Sequence, residues 1–231
     1  MSSINTIVWD IGNVLVRWTP ELVYRNDPRF DAATNKDWCD RVIRNPWVAG
    51  ERGWNAEMDR GRSFAETYAE RVARFPQTFP DLAQKFPDYA ELMASYFTCF
   101  EAAMSQEVIG IKEIKHELRP ALRTLALSNF SRETWPRIAR RFPQMMDFDD
   151  RVVSGEVGMI KPDDEIFHHL FNKLGVKPQE AVFIDDSAAN IATSERLGMR
   201  GILFTPDYEQ PEKSARGLRQ DLRRLGIQIR I

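Results

Sequence analysis

The stretch Thr6-Ile7-Val8-Trp9-Asp10-Ile11-Gly12-Asn13 decides the fold of this chain. Its first four residues are apolar or β-branched, which is typical of a short buried strand that ends at Asp10. Similar runs follow much later along the chain, at residues 124–127, 181–184 and 201–204, with a short candidate at 152–153. Segments with helical spacing separate these runs. Strands that alternate with helices predict a parallel sheet with right-handed crossovers.

A long segment of helical character separates the first strand from the others. From about Pro20 to Glu117, charged residues interleave with aromatic residues, and few β-branched runs occur. The simplest topology is therefore a doubly wound, Rossmann-like α/β core with an all-helical cap inserted after the first strand. We expect the core to comprise residues 1–16 and 101–231, and the cap to comprise residues 17–100.

The composition excludes several classes of protein. Of the 231 residues, 43% are hydrophobic, which is enough for a sizeable core. The net charge of −2 lacks the basic surplus that is typical of a nucleic-acid binder. The sequence has no apolar run near the roughly 18 residues that span a bilayer, and its first ten residues do not read as a signal peptide. Because Cys39 and Cys99 are the only cysteines, we expect reduced thiols and a cytoplasmic protein.

Polar residues that can carry chemistry follow the predicted strands. Asp10, Ser128 and the pair Asp185–Asp186 each come at the carboxyl end of a strand, and Lys161 precedes a predicted helix at 163–174. Taken singly, such residues more often cap helices or form turns. In an open parallel sheet, however, the carboxyl ends form the ligand-binding edge. Their common position predicts a site there, and adjacent carboxylates need a cation or hydrogen bonds to offset their repulsion.

These residues resemble four motifs of the haloacid dehalogenase (HAD) superfamily, in particular its cap-bearing phosphatase-like branch. The motifs are, in chain order, Ile7-Val8-Trp9-Asp10-Ile11-Gly12-Asn13-Val14-Leu15, Leu125-Ala126-Leu127-Ser128-Asn129, Gly158-Met159-Ile160-Lys161-Pro162 and Val182-Phe183-Ile184-Asp185-Asp186-Ser187-Ala188-Ala189-Asn190-Ile191. The resemblance covers residues 4 to about 205 and matches the cap only in its placement. It implies a Mg²⁺-dependent phosphatase that hydrolyses a small organic phosphate, with sugar phosphates among the candidates.

The resemblance also implies a role for each residue at this edge. Asp10 is the expected nucleophile, which would form an aspartyl-phosphate, and Ser128 and Lys161 are expected to assist it. The expected phosphate-binding residues are Ser128, Asn129, Lys161, Gly12 and Asn13. The expected ligands of Mg²⁺, which prefers hard oxygen atoms, are Asp10, the Gly12 carbonyl, Asp186 and Asp185, with Asp186 favoured over Asp185 for direct ligation. Weaker candidates for substrate contact are Asn190, Trp47 and Trp54, and near the two tryptophans also Arg52, Asn55 and Arg60.

Gly12 departs from the pattern of most phosphatases in the family. They carry a second aspartate at this position, which protonates the leaving oxygen and then activates water. A subgroup with the pattern Asp-x-Gly-Asn-Val includes sugar-phosphate phosphatases, so the glycine does not exclude a phosphatase. General acid–base catalysis is worth roughly 10²–10⁴-fold. Such an enzyme is therefore expected to favour leaving groups of low pKa or to recruit another acid from the cap.

Two alternatives to a phosphatase stay open at this point. A 2-haloacid dehalogenase also lacks the second aspartate, because a departing halide needs no proton, and Arg17 or Arg25 could bind the halide. The pair Asp185–Asp186 argues against it, since two carboxylates without a metal would repel an anionic haloacid.

The second alternative is a non-catalytic HAD-like scaffold that binds a phosphorylated ligand or a protein. Loss of the acid–base residue at position 12 fits such a protein, whereas retention of Asp10, Ser128 and Lys161 argues for catalysis. For the phosphatase, we expect a small organic phosphate as partner, no nucleic acid or membrane, and a monomer or homodimer.

Overall fold

A computed structural model describes residues 3–230 of the chain. Its strands are β1 (Thr6–Trp9), β2 (Val16–Trp18), β3 (Met104–Glu107), β4 (Arg123–Ser128), β5 (Asp150–Val153), β6 (Ala181–Asp185) and β7 (Arg200–Leu203). Its α-helices are α1 (Glu21–Tyr24), α2 (Ala32–Trp38), α3 (Trp54–Asp59), α4 (Phe64–Thr78), α5 (Pro80–Lys85), α6 (Tyr89–Thr98), α7 (Phe100–Ala103), α8 (Ile111–Leu118), α9 (Trp135–Arg141), α10 (Ser154–Val157), α11 (Asp164–Leu174), α12 (Ala188–Arg196) and α13 (Pro211–Arg224). A π-helical segment, Cys39–Arg44, continues α2, and a 3₁₀ turn, Pro178–Glu180, precedes β6.

The main sheet is parallel and has the order β5-β4-β1-β6-β7 within the described residues. Strand β1 lies at its centre, where Ile7 aligns with Thr124 on one side and with Val182 on the other. Every residue of β1 and of β6 is buried, as expected for strands that helices cover on both faces. The predicted α/β fold with a parallel sheet is confirmed.

Strands β2 and β3 form a separate antiparallel pair, with Val16 opposite Glu107. Helices α1–α7 all lie between these two strands, and α1–α6 fall within residues 17–100, where the sequence predicts a cap. The sequence also predicts helix for residues 104–107, and this is wrong. The segment Met-Ser-Gln-Glu has no strong strand signal of its own, and its pairing with β2 supplies the ladder hydrogen bonds that fix it as a strand.

Two predicted helices differ in how well their bounds agree with the structure. Helix α11 runs to Leu174 and ends at Gly175, whose φ of 62° is the left-handed conformation typical of a C-cap glycine. Residues 131–142 also have a helical pattern, interrupted by Pro136, and here the helix is shorter than this range, because α9 begins at Trp135 with Pro136 in its first turn. A proline fits there, since the first N–H groups of a helix have no partner within the helix.

The apolar spacing of the C-terminal segment is that of an amphipathic helix, and the structure confirms it as α13. Ala215, Leu218 and Leu222 are the buried residues of this helix and pack into the hydrophobic core. Among residues 3–230, no helix combines the length and apolar character needed to cross a membrane.

Gly155, in α10, lies where a side chain has no room. A Cβ atom at this position would lie 2.5 Å from the Arg132 amide nitrogen and 2.6 Å from the Phe130 carbonyl oxygen. Because both atoms belong to the backbone, Gly155→Ala is expected to lower the free energy of unfolding by about 1–3 kcal/mol, as overpacking does. Urea denaturation measures the change.

A matched control for this substitution is Gly217→Ala in α13, where a Cβ atom would meet nothing within 4 Å. This second change is expected to be neutral or to stabilise by about 0.5–1 kcal/mol, because alanine is the better helix former. Equal unfolding midpoints for the two variants would contradict the close contact at Gly155.

Candidate active site

A cavity of about 210 Å³ lies between the carboxyl edge of the main sheet and the helices that follow β2. Seven of the site residues predicted from the sequence line it, namely Asp10, Gly12, Asn13, Asn129, Lys161, Asp186 and Asn190. The other lining residues are Trp18, Asn55, Asp59, Phe100, Met104 and Phe130. Thus seven of the nine residues that the motifs predict for the site line one cavity, although they come from distant parts of the chain, and Ser128 and Asp185 are not among its lining residues.

Lys161 and Asp10 form a buried ion pair at the floor of the cavity. The Lys161 Nζ atom lies 2.8 Å from Asp10 Oδ1 and 2.6 Å from Asp185 Oδ2. Burial opposes the charge of Lys161, but the two carboxylates outweigh it and raise the pKa of the lysine. Lys161 is therefore an ammonium group held against the predicted nucleophile.

The two neighbouring carboxylates at the end of β6 have different surroundings. Asp185 is fully buried and accepts hydrogen bonds from the Ser187 amide at 2.8 Å and from Asn190 Nδ2 at 2.9 Å, besides its contact with Lys161. Asp186 lines the cavity and accepts a hydrogen bond of 2.9 Å from Asn13 Nδ2. Asp186 is thus the more accessible carboxylate, and Asn190 contacts Asp185 besides lining the cavity.

The three aspartates have the donor set that a hard divalent cation requires. Asp10, Asp185 and Asp186 each offer an oxygen atom, and these atoms lie within 4.8 Å of one another. The pKa of Asp10 is raised to about 7, because burial and the neighbouring Asp185 and Asp186 together outweigh the lowering effect of Lys161. One ammonium group thus faces three carboxylates, and a divalent cation would offset the remaining negative charge. The residues present fit Mg²⁺, which binds oxygen ligands.

Ser128 and Asn129, at the end of β4, differ in what they contact. Ser128 is 1% exposed, and its Oγ atom has no hydrogen-bond partner among residues 3–230. A buried hydroxyl without a partner is costly, so a ligand oxygen would satisfy it. The side chain of Asn129 accepts from the Lys161 amide at 2.8 Å and donates to the Lys161 carbonyl at 3.0 Å. Asn129 therefore fixes the backbone that carries Lys161.

Gly12 and Asn13 form the loop after Asp10. A Cβ atom at Gly12 would meet nothing within 4 Å, so the cavity has room where the family's second aspartate is missing. Asn13 has a φ of 57°. Both ends of its side-chain amide are hydrogen-bonded, because Nδ2 donates to Asp186 and Oδ1 accepts from the Trp18 amide at 3.0 Å. The loop is thereby fixed beside the carboxylates.

Trp47 and Trp54 do not reach the cavity, and the prediction that they contact substrate is wrong. Trp47 is 8% exposed, donates from Nε1 to the Val42 carbonyl and packs against Phe79. Trp54 is fully buried and donates from Nε1 to Thr67 Oγ1. Large aromatic side chains stabilise a helical bundle by filling its core, and both indoles are used in this way.

Polar residues near these tryptophans divide between two places. Arg52 and Arg60 both contact Asp163, just before α11, at 2.8 and 3.2 Å, and so join the inserted helices to the core. Asn55 lines the cavity, as does Asp59, which the sequence analysis did not single out. The spacing of Asn55 and Asp59 by four residues on one helix is the signal that could have found the pair.

A family model for haloacid dehalogenase-like hydrolases matches residues 4–198. Among curated relatives, drimenol cyclase of Aspergillus calidoustus is 24% identical over 201 residues, which cover 87% of this chain and 34% of that protein. Flavin mononucleotide hydrolase 1 of Arabidopsis thaliana is 34% identical over 74 residues, which cover 32% of this chain and 27% of that protein. The chain thus spans about a third or less of the length of these relatives.

Solved structures share the fold over most of the chain. A predicted HAD-like family hydrolase from Porphyromonas gingivalis has a TM-score of 0.65 and 25% identity, covering 94% of this chain and 99% of its own. A HAD family enzyme from Bacteroides thetaiotaomicron, solved in complex with magnesium and inorganic phosphate, has a TM-score of 0.61 at 18% identity, with 89% and 95% covered. An L-2-haloacid dehalogenase has a TM-score of 0.56 at 18% identity, with 86% and 83% covered.

Proposed function

The chain belongs to the haloacid dehalogenase-like hydrolase family, and on this premise we propose that it is a Mg²⁺-dependent phosphatase for a small organic phosphate. The observation that carries the proposal is the buried cluster in which Lys161 contacts Asp10 beside Asp185 and Asp186. This cluster combines a carboxylate nucleophile, a fixed positive charge and a donor set for a divalent cation. The match to a flavin mononucleotide hydrolase supports phosphate esters as the substrate class.

In the proposed reaction, the Asp10 carboxylate attacks phosphorus and the bond to the leaving oxygen breaks, which gives an aspartyl-phosphate. The ammonium group of Lys161 offsets charge on the phosphoryl oxygens, and the Ser128 hydroxyl donates a hydrogen bond to one of them. Water then hydrolyses the aspartyl-phosphate and regenerates Asp10. When bound, Mg²⁺ would be held by Asp10, Asp186 and the Gly12 carbonyl and would reduce the repulsion between the carboxylate and the anionic phosphate.

The cavity indicates a small substrate. Its volume of about 210 Å³ is below the roughly 300–1,000 Å³ of pockets for drug-sized ligands. Its apolar lining residues are Trp18, Phe100, Met104 and Phe130. We therefore propose a phosphorylated metabolite smaller than a nucleotide, with sugar phosphates as the first group to assay.

Two features disfavour a dehalogenase, although dehalogenases share the fold. The guanidinium of Arg17 lies 4.0 Å from the centre of the Tyr208 ring, and neither Arg17 nor Arg25 lines the cavity. Asp10 and Asp186 line the cavity beside the buried Asp185, and these three carboxylates outnumber the one ammonium group of Lys161, so without a metal they would repel an anionic haloacid.

Release of inorganic phosphate from p-nitrophenyl phosphate and from a panel of sugar phosphates tests the proposal. We expect turnover with Mg²⁺ and loss of turnover in EDTA, restored when Mg²⁺ is added back. Turnover of 2-haloacids in EDTA, together with no phosphate release under any divalent metal, would instead establish a dehalogenase. Absence of both activities, with retained binding of phosphorylated ligands, would establish the scaffold.

A further inference from the structure

We propose that Asp59, the last residue of α3, is the proton donor and acceptor that Gly12 cannot provide. This inference rests on the proposed phosphatase function. It assigns the missing acid–base step to a residue of the inserted helices rather than to the loop after the nucleophile.

The position of Asp59 supports this role. Asp59 and Asp10 line the same cavity, and Asp59 is 7% exposed. Its backbone is also fixed to the core, because the Ser154 Oγ atom donates to the Asp59 carbonyl at 2.6 Å and accepts from the Phe130 amide at 2.8 Å. Phe130 follows Ser128 and Asn129 directly, so Asp59 is tied to the loop that carries two of the predicted phosphate-binding residues.

A short chain of hydrogen bonds orients the carboxyl group. Tyr96 donates from its hydroxyl to Asn55 Oδ1 at 2.7 Å, which fixes the direction of the Asn55 amide. Asn55 then donates from Nδ2 to Asp59 Oδ2 at 2.8 Å. The Asn55 amide thus holds the carboxyl group of Asp59 in one orientation.

The surroundings of Asp59 keep its carboxyl group protonated. Its pKa is raised to about 8, because burial and the charge of Asp10, which raise it, outweigh the charge of Lys161 and a backbone hydrogen bond from Ser131, which lower it. The ionisable groups that face it are Asp10 and Lys161 of the core and Tyr96 of α6. A carboxyl group that is neutral at pH 7 can donate a proton, which a solvated aspartate cannot.

The proton balance closes over the two steps. In the first step the P–O bond to the leaving group breaks, its electron pair stays on the leaving oxygen, and the carboxyl proton of Asp59 moves to that oxygen. In the second step Asp59, now a carboxylate, takes a proton from the water that attacks the aspartyl-phosphate. The bond between phosphorus and Asp10 then breaks, and Asp59 is again a neutral acid.

Asp59→Asn tests this role, because the amide keeps the shape of the side chain but cannot transfer the proton. We compare kcat/KM for p-nitrophenyl phosphate, whose leaving group is a stable anion, with kcat/KM for the alkyl phosphate that the wild type hydrolyses fastest among triose, glycerol and hexose phosphates. We expect a loss of roughly 10²–10⁴-fold for the alkyl phosphate and a much smaller loss for the aryl phosphate. Because water activation also slows, the variant should release a burst of p-nitrophenol stoichiometric with enzyme.

Glu57→Gln provides the matched control, because it makes the same change on the same helix at a residue outside the cavity. It should retain wild-type activity towards both substrates. Equal losses for aryl and alkyl phosphates in Asp59→Asn, or no loss for either, would overturn the assignment, as would a wild type that hydrolyses only aryl phosphates. A wild type without any phosphatase activity would instead overturn the proposed function itself.

Discussion

Asp10→Asn is expected to lower phosphate ester hydrolysis by roughly 10⁴-fold or more, since loss of a covalent nucleophile removes the reaction path itself. The amide has nearly the shape of the carboxylate but cannot form the aspartyl-phosphate. The side chain is almost buried and contacts Lys161, so the variant keeps most of its packing. Steady-state release of phosphate from p-nitrophenyl phosphate in Mg²⁺ measures the effect.

Two further variants make this result interpretable. Asp150→Asn changes an exposed aspartate at the start of β5 and should leave activity unchanged. Asp10→Ala excludes activity that arises from deamidated asparagine. If Asp10→Ala retained more than a small fraction of wild-type turnover, the nucleophile would have to be another residue.

Lys161→Met is expected to lower both catalysis and stability. Loss of the ammonium group removes a positive charge directed at the phosphoryl group. The kcat/KM for phosphate ester hydrolysis should therefore fall by roughly 10²–10³-fold. The lysine side chain is 1% exposed and contacts two carboxylates. Removing one partner from a buried ion pair typically costs about 3–5 kcal/mol of stability, so we expect a loss of this order in EDTA.

The stability loss should depend on pH in a defined direction. The pKa of Asp10 is about 7 with Lys161 beside it, and because the lysine lowers it, this pKa is expected to rise further in the variant. A group with a raised pKa binds more protons in the folded state, so stability is lost as pH increases towards that pKa. Urea denaturation in EDTA should therefore show a larger deficit at pH 8 than at pH 5.

The control for this variant is Lys173→Met, which changes an exposed lysine on α11. It should have the same urea midpoint as the wild type at both pH values. If Lys161→Met were as stable as this control at pH 8, the buried contacts of Lys161 would not contribute to folding as the structure indicates.

The part of the site at the carboxyl ends of the strands was predictable from sequence, because each of its residues follows a strong local signal. Asp10, Ser128 and Asp185 each end an apolar run, and parallel strands must bring their carboxyl ends to the same edge. No tertiary information is needed for that inference. The short strand β3 was missed because its polar sequence becomes a strand only through pairing with β2.

The residues that the inserted helices contribute to the site depend on contacts that no local pattern encodes. Trp47 and Trp54 have the side chains expected of a sugar-binding face, but the same side chains fill a helical core equally well. From the sequence alone, Asp59 cannot be distinguished from the charged residues on the exposed face of a helix. Its burial results from contacts with residues such as Ser154, which lies 95 positions further along the chain.

The contacts of Asp163 with Arg52 and Arg60 bear on how firmly the inserted helices are held against the core. The three side chains are 33–39% exposed, and ion pairs at such positions are typically worth about 0–1 kcal/mol each. They align the inserted helices with the core without locking them there. Salt should screen these two pairs, whereas the buried hydrogen bond between Ser154 and the Asp59 carbonyl is shielded from salt, so we expect the end of α3 to stay against the core as ionic strength rises.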